Sequence, residues 1–329
     1  METRRLGRTG PAVSSIGLGC MGMSFAYGPA DESQFLRTLH RSLELGINFW
    51  DTAEIYGPYK NEELLGRALT GRRDKVILAT KFAWQIGPNG ERIKLDGSRA
   101  NMRRALEGSL KRLGTDYVDL FYQHRLDRAT PIEETVAAMA ELVKEGKVRH
   151  IGLSEVGPIT IRKAHAIHPL AAVQSEYSLW ETGIEAKVLP VLRELGIGLV
   201  AYSPVGRGFL TGAIRKEADI PAGDFRRTVP RFQGENFKNN LRLVEAVERL
   251  ARAKGAAPAQ IALAWLLHQG PDIVPSPGPT KVEHLGENVG AVDFKLAEQD
   301  WADVRSLLKK FPAAGARYPE GMMTFVDVP

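Results

Sequence analysis

The chain has 329 residues, 43% hydrophobic and 25% charged, a composition that sustains a large buried core and excludes disordered, fibrous and membrane-spanning classes. Its net charge of +5 is interleaved with acidic residues, as in Lys144-Glu-Gly-Lys147, so no basic block points to nucleic acid. Cys20 is the only cysteine, which excludes an intrachain disulfide and a cysteine-rich zinc site. With no apolar leader, and with Ile261–Leu267 as the longest apolar run, the expectation is a cytoplasmic protein without a membrane partner.

In chain order, Arg5-Leu-Gly-Arg-Thr-Gly-Pro-Ala-Val reads as a hairpin placed to plug the floor of a barrel. Eight short strands are then predicted: 15–19, 47–51, 76–80, 117–122, 150–153, 172–175, 199–201 and 273–275. Between them, apolar residues at three- and four-residue spacing predict helices over stretches that include 34–45, 99–113, 132–144 and 241–253. Glu44-Leu-Gly-Ile and Glu194-Leu-Gly-Ile each end a helix on a glycine and enter a strand, and Arg112-Leu-Gly-Thr nearly does. Glycine there permits the left-handed turn of a short connection.

Repeated strand–helix units without a polar linker predict one domain over 1–329, an α/β fold closed as a single (β/α)8 TIM barrel with an N-terminal hairpin and an extra C-terminal helix or tail. Arg207–Asn240 reads as a long irregular insert and Phe311–Pro329 as a loose tail, both candidate lids.

Some motifs are decoys. Gly17-Leu-Gly-Cys-Met-Gly22 matches a dinucleotide fingerprint, but eight residues separate its last glycine from Asp31, which opens the next predicted helix, so a Rossmann unit is set aside. His165 and His168 read as a solvated pair rather than zinc ligands. Glu155 and Glu176 end strands and mimic a glycosidase acid pair, a reading that leaves the other strand-end residues unexplained.

In a barrel the C-terminal strand ends converge on one mouth. Asp51, Tyr56, Lys81 and His124 all fall there. A phenol next to an ammonium is expected to have a lowered pKa and to serve as a general acid. In this reading Tyr56 is the proton donor, Lys81 supplies the charge, Asp51 holds Lys81, and His124 orients a carbonyl oxygen. No metal or nucleophile is called for.

The runs Gly17-Leu-Gly-Cys-Met-Gly-Met, Trp50-Asp-Thr-Ala-Glu-Ile-Tyr-Gly, Tyr122-Gln-His-Arg, Ile151-Gly-Leu-Ser-Glu, Gln174-Ser-Glu-Tyr and Tyr202-Ser-Pro-Val-Gly-Arg-Gly resemble the aldo-keto reductase superfamily across nearly the whole chain. The resemblance matches its Asp, Tyr, Lys and His tetrad to the four residues above. It implies NADPH as cofactor, with NADH the less favoured choice. Ser154 and Gln174 would hold the nicotinamide carboxamide, and Tyr202 would stack on the ring. Ser203, Pro204, Val205, Gly206 and Arg207 would wrap the pyrophosphate, and Gly19, Cys20, Met21 and Asp51 would lie alongside.

At the adenosine end Gly278 and His284 stand where relatives often carry polar or cationic residues. That leaves Lys281, with Thr280 and His284, for the 2′-phosphate, and Glu287 and Asn288 for adenine. Glu155 stands where many relatives have Asn, and is expected to contact the nicotinamide amide. Phe25, Tyr27, Trp84, Arg125 and Trp180 are the substrate-pocket candidates.

The resulting expectation is reduction of a small aldehyde or ketone; the physiological compound and the oligomeric state are left open. A different class is implied as the alternative, a cofactor-sensing regulatory subunit like potassium-channel β subunits.

Overall fold

The computed structural model describes residues 1–27 and 31–327. Gly28, Pro29 and Ala30, within the stretch that follows the glycine run, and Val328 and Pro329, at the end of the tail, lie outside the described residues.

The chain opens with β1 (Thr3–Arg5) paired antiparallel to β2 (Ala12–Ser14). Leu6 and Val13, fully buried, cluster with Phe49, Ala79, Leu120, Ala172 and Val200 of the barrel interior. The hairpin therefore fills the floor, as expected. Gly7 (φ +65°) is required there, because a Cβ would lie 2.6 Å from the Gly196 carbonyl oxygen.

β3 (Leu18–Gly19), α1 (Glu32–Glu44), β4 (Phe49–Asp51), α2 (Lys60–Leu69) and β5 (Ile77–Phe82) follow. The chain then makes an extra antiparallel hairpin, β6 (Trp84–Ile86) and β7 (Arg92–Leu95), before α3 (Arg99–Leu113). The alternation resumes with β8 (Val118–Gln123), α4 (Ile132–Lys144), β9 (Val148–Ser154), α5 (Pro158–Ile167), β10 (Ala172–Glu176), α6 (Val188–Leu195) and β11 (Gly198–Tyr202). Then come α7 (Gly234–Ala253), α8 (Pro258–His268), β12 (Ile273–Ser276), α9 (Val282–Val289), α10 (Glu298–Lys310) and α11 (Glu320–Met323).

The eight strands pair in parallel in the order β3-β4-β5-β8-β9-β10-β11-β12. The circle closes where Gly17 and Gly19 donate to Pro275 and Pro277 carbonyls, both at 2.9 Å. All eight predicted strands are present, shifted by a few residues at their ends. The first is the largest correction, two residues rather than five. Gly46, Gly114 and Gly196 take the left-handed conformation expected of them.

The glycines of the fingerprint-like run serve packing. A Cβ on Gly17 would meet the Phe49 ring at 2.6 Å, and one on Gly19 the Ser276 carbonyl at 2.9 Å.

Strand periodicity decides what reaches the mouth. Phe49, Ala79, Tyr122, Ala172, Val200 and Val274 point into the barrel, so the residues two further on, Asp51, Lys81, His124, Gln174, Tyr202 and Ser276, occupy the same inward set one layer higher.

Two segments depart from expectation. The insert is shorter than 207–240, because α7 begins at Gly234. Phe237 and Asn240 are buried in register with Leu243, Val244 and Val247, and that burial overrides the weak helix propensity of Gly234-Glu-Asn-Phe-Lys-Asn-Asn240. The tail is packed rather than loose: Arg317 and Tyr318 are buried, and Phe325 meets Trp84 edge-on at 5.1 Å.

Candidate active site

The Lys81 ammonium, fully buried, has three donors and three acceptors. It pairs with Asp51 Oδ1, donates to the Thr52 carbonyl at 2.7 Å, and donates to the Tyr56 hydroxyl at 3.5 Å. Gln174 Nε2 donates to the other Asp51 oxygen at 3.0 Å. Burial favours the neutral amine of Lys81, but the Asp51 carboxylate and Tyr56 outweigh it and hold the ammonium above its ordinary pKa.

Tyr56 is set by a local turn in which its N–H bonds the Ala53 carbonyl at 3.1 Å, and by two rings. Phe25 stacks at 6.3 Å between centroids and His124 meets it edge-on at 5.7 Å. The expected lowering of its pKa is corrected: burial dominates and pushes the phenol up, while Lys81 offsets part of the rise. Burial, followed by the positive charges of Arg125, Lys81 and Arg92, holds the His124 imidazole far below its ordinary pKa, so the ring is neutral at pH 7. Its Nδ1 has no partner among the described residues.

Above these groups opens a cavity of about 720 Å³, walled by Asp51, Tyr56 and His124 at its deep end. Ser154, Gln174 and Tyr202 line the middle, together with Gly19 and Met21. The loop after β11 contributes Ser203, Pro204, Val205 and Arg207, and Gly278, Thr280, His284, Glu287 and Asn288 form the far end. Left-handed residues Ser203, Gly206 and Arg207 fold that loop tightly against the opening. The Ser276 hydroxyl, buried and without a partner among the described residues, lies in the same wall.

An elongated cavity with an amide and two hydroxyls in its middle and the open N-terminus of α9 at its far end fits a dinucleotide.

Several expected residues are elsewhere. Lys81 lies behind Tyr56 rather than in the cavity wall. Cys20 is fully buried, its thiol directed to the Leu18 carbonyl. Gly206 packs on Trp180, and Lys281, the residue preceding α9, does not line the cavity. Trp180, expected in the substrate pocket, is stacked on Phe209 at 5.0 Å inside the core. Phe25, Tyr27, Trp84 and Arg125 do line the opening.

Glu155 is engaged elsewhere too. The backbone leaves the strand at φ +56°, and both carboxylate oxygens take hydrogen bonds from Arg317, at 2.9 and 2.6 Å. Burial opposes its charge, yet Arg317 holds its pKa below the usual carboxylate value. Glu176 lies beside this pair, 3.4 Å from Arg207 and 3.7 Å from Arg317. The two strand-end glutamates are thus anchors for the loop after β11 and for the tail.

Arg92 and Tyr318 line the cavity and were not anticipated. The Tyr318 hydroxyl lies 2.8 Å from that of Tyr202 and accepts from Arg125 at 3.2 Å. Asn89-Gly90 between Trp84-Gln-Ile and Arg92-Ile-Lys-Leu is a hairpin signal that would have paired the Arg92 strand with the Trp84 strand, where Arg92 faces Ile86. Tyr318 has no comparable local signal. Among the described residues, none of the acidic, histidine and cysteine side chains form a metal-binding group, and no helix is long and apolar enough to cross a membrane.

Comparison with known proteins gives a consistent result. The sequence profile of the aldo/keto reductase family matches residues 15–309. A Glycine max protein named "Probable aldo-keto reductase 1" is 46% identical over 98% of this chain and 93% of its own. The Schizosaccharomyces pombe "Aldo-keto reductase yakc [NADP(+)]" is 44% identical over 100% of this chain and 98% of its own. Among solved structures, a glycerol dehydrogenase from Gluconobacter oxydans superposes with a TM-score of 0.86 at 30% identity, covering 95% of this chain and 97% of that one. The holo form of an aldo-keto reductase from Bacillus halodurans gives 0.79 at 29% identity, covering 97% and 99%.

Proposed function

The chain belongs to the aldo/keto reductase family and is an NAD(P)H-dependent oxidoreductase, and from that premise we propose that it reduces aldehydes or ketones with Tyr56 as the proton donor and NADPH as the preferred cofactor. The observation that carries the reading is the Lys81 ammonium bonded to both Asp51 and the Tyr56 oxygen at the deep end of the cavity.

When bound, the cofactor supplies a hydride to the carbonyl carbon. The chain's own groups handle the oxygen. Because Lys81 donates to Tyr56, the phenolic proton remains for a second acceptor, the carbonyl oxygen. The ammonium then neutralises the phenolate that remains. Neutral His124 holds no competing charge, so it orients the oxygen by a hydrogen bond without drawing Tyr56 toward ionisation.

For the cofactor, Ser154 and Gln174 would hold the carboxamide and Tyr202 the ring. The loop 203–207 would hold the pyrophosphate, and Thr280, His284 and Asn288 the adenosine end, with Lys281 at the N-terminus of α9 within the same segment. The NADP(+) in the name of the yeast relative supports NADPH. We place the enzyme in the cytoplasm, in line with its single, buried, reduced cysteine.

Mixing the purified protein with NADPH and a panel of aldehydes, and following loss of reduced-nicotinamide absorbance, tests the proposal. Sustained turnover is expected. Tight cofactor binding with at most one turnover would replace the enzyme with a cofactor-sensing subunit.

A further inference from the structure

We infer that Arg92 and Arg125 form a carboxylate-recognition pair in the substrate end of the cavity, so that the preferred carbonyl substrates carry a carboxylate group. The inference rests on the reductase reading above and names the substrate class of that site.

The carboxylates near the substrate end of the cavity are already paired, Asp51 with Lys81, Glu155 with Arg317, Glu176 with Arg207, and Asp224 with Arg226, while Glu287 lies at the far end. Arg92 and Arg125 differ. Both line the cavity beside Tyr56 and His124, and neither has a carboxylate of its own among the described residues. The protein acceptors of Arg125 are neutral, namely the His124 carbonyl at 2.8 Å, the Ser154 hydroxyl at 3.3 Å and the Tyr318 hydroxyl at 3.2 Å. The charged neighbour that Arg92 feels most is Arg125 itself, a repulsive one.

The two come from different elements and different depths. Arg125 follows His124 just beyond the end of β8, and is half-buried. Arg92 enters from β7 at the solvent-open rim, its guanidinium 5.4 Å from the centre of the Phe25 ring and 5.3 Å from that of Trp84. The rings shield it from water on those sides, which strengthens its field toward the cavity.

Two cations in one partly desolvated pocket repel each other, and an anion placed between them relieves that cost. Guanidinium groups favour planar carboxylates, with two parallel hydrogen bonds available to each. The aromatic rings beside them suit an apolar or aromatic body between the carbonyl and the carboxylate.

The test compares kcat/KM for 2-, 3- and 4-carboxybenzaldehyde with the corresponding methyl esters, with NADPH, at low and high salt. An ester withdraws electrons more strongly than a carboxylate, so intrinsic reactivity favours the ester. The expected result is the reverse for at least one isomer, by about tenfold, shrinking as salt rises. Arg92→Gln and Arg125→Gln should each bring that ratio toward one, chiefly through KM, and Arg92→Lys should recover part of it. Calorimetric titration with benzoate and with benzamide gives a readout without turnover, in which benzoate should bind the wild-type protein more tightly and each Gln variant should lose that advantage.

Reduction of every ester at least as well as its acid, or benzoate binding unchanged in both Gln variants, overturns the arginine pair while leaving the reductase reading intact. Reduction of no carbonyl compound at all overturns the reductase reading instead, and the benzoate titration then decides the arginine pair.

Discussion

Lys81 Nζ stands 3.5 Å from the Tyr56 hydroxyl oxygen and faces it as donor, not acceptor. An ammonium has no lone pair, so the phenolic proton cannot be shared back and stays with Tyr56. From this arrangement, Tyr56→Phe should lower kcat by about 10²–10⁴-fold while cofactor affinity is nearly unchanged. Steady-state kinetics paired with a cofactor titration check both halves, and equal activity in the variant would remove Tyr56 from the role.

The phenol's pKa is raised, by burial first and less than it would be without Lys81. An acid must be protonated to act, so the reduction rate should be flat through neutral pH and fall only on the alkaline side, beyond the ordinary range of a tyrosine. Alcohol oxidation needs the phenolate and should rise over the same range. A pH profile taken in both directions reads this. Loss of reduction between pH 6 and 8 would assign the proton to another group.

Glu54 offers a test of stability away from the chemistry. Its side chain is 1% exposed, one oxygen is 3.3 Å from Arg104 and the other has no partner among the described residues, and burial pushes its pKa up to about 7. The folded-state pKa is above the unfolded one, so the native state gains a proton. Stability is fully present below about pH 4.5 and declines by about 3 kcal/mol as pH rises to 7. Glu54→Gln should therefore match the wild type in Tm at pH 4.5 and exceed it at pH 8. A variant less stable at pH 8 would show that the Arg104 contact outweighs the buried charge.

Removing Arg317 leaves the fully buried Glu155 without its counter-charge. Arg317→Met should cost about 3–5 kcal/mol and expose residues 311–327 to limited proteolysis, and adding Glu155→Gln should restore much of the loss. Equal protease resistance in wild type and single variant would separate the tail from the ion pair.

For cofactor choice, Lys281→Ala should weaken NADPH about tenfold and leave NADH nearly unchanged, read from the two dissociation constants. Lys281 does not line the cavity wall, so this outcome requires its flexible side chain to reach the 2′-phosphate. A matched loss for both cofactors would turn attention to His284 and Thr280.

What the sequence by itself determined is the part of the molecule written in local periodicity. Alternating strand and helix patterns, with glycine stops at Gly46, Gly114 and Gly196, specified the barrel and put Asp51, Lys81 and His124 at strand ends. Both signals depend on residues a few positions apart. What only the tertiary structure decided is long-range: Arg317 meeting Glu155 from 162 residues away, Tyr318 reaching Tyr202 across 116, and Trp180 sinking into the core instead of facing the cavity. Such pairings are selected by burial and charge compensation after the barrel has closed, so no stretch of neighbouring residues carries them.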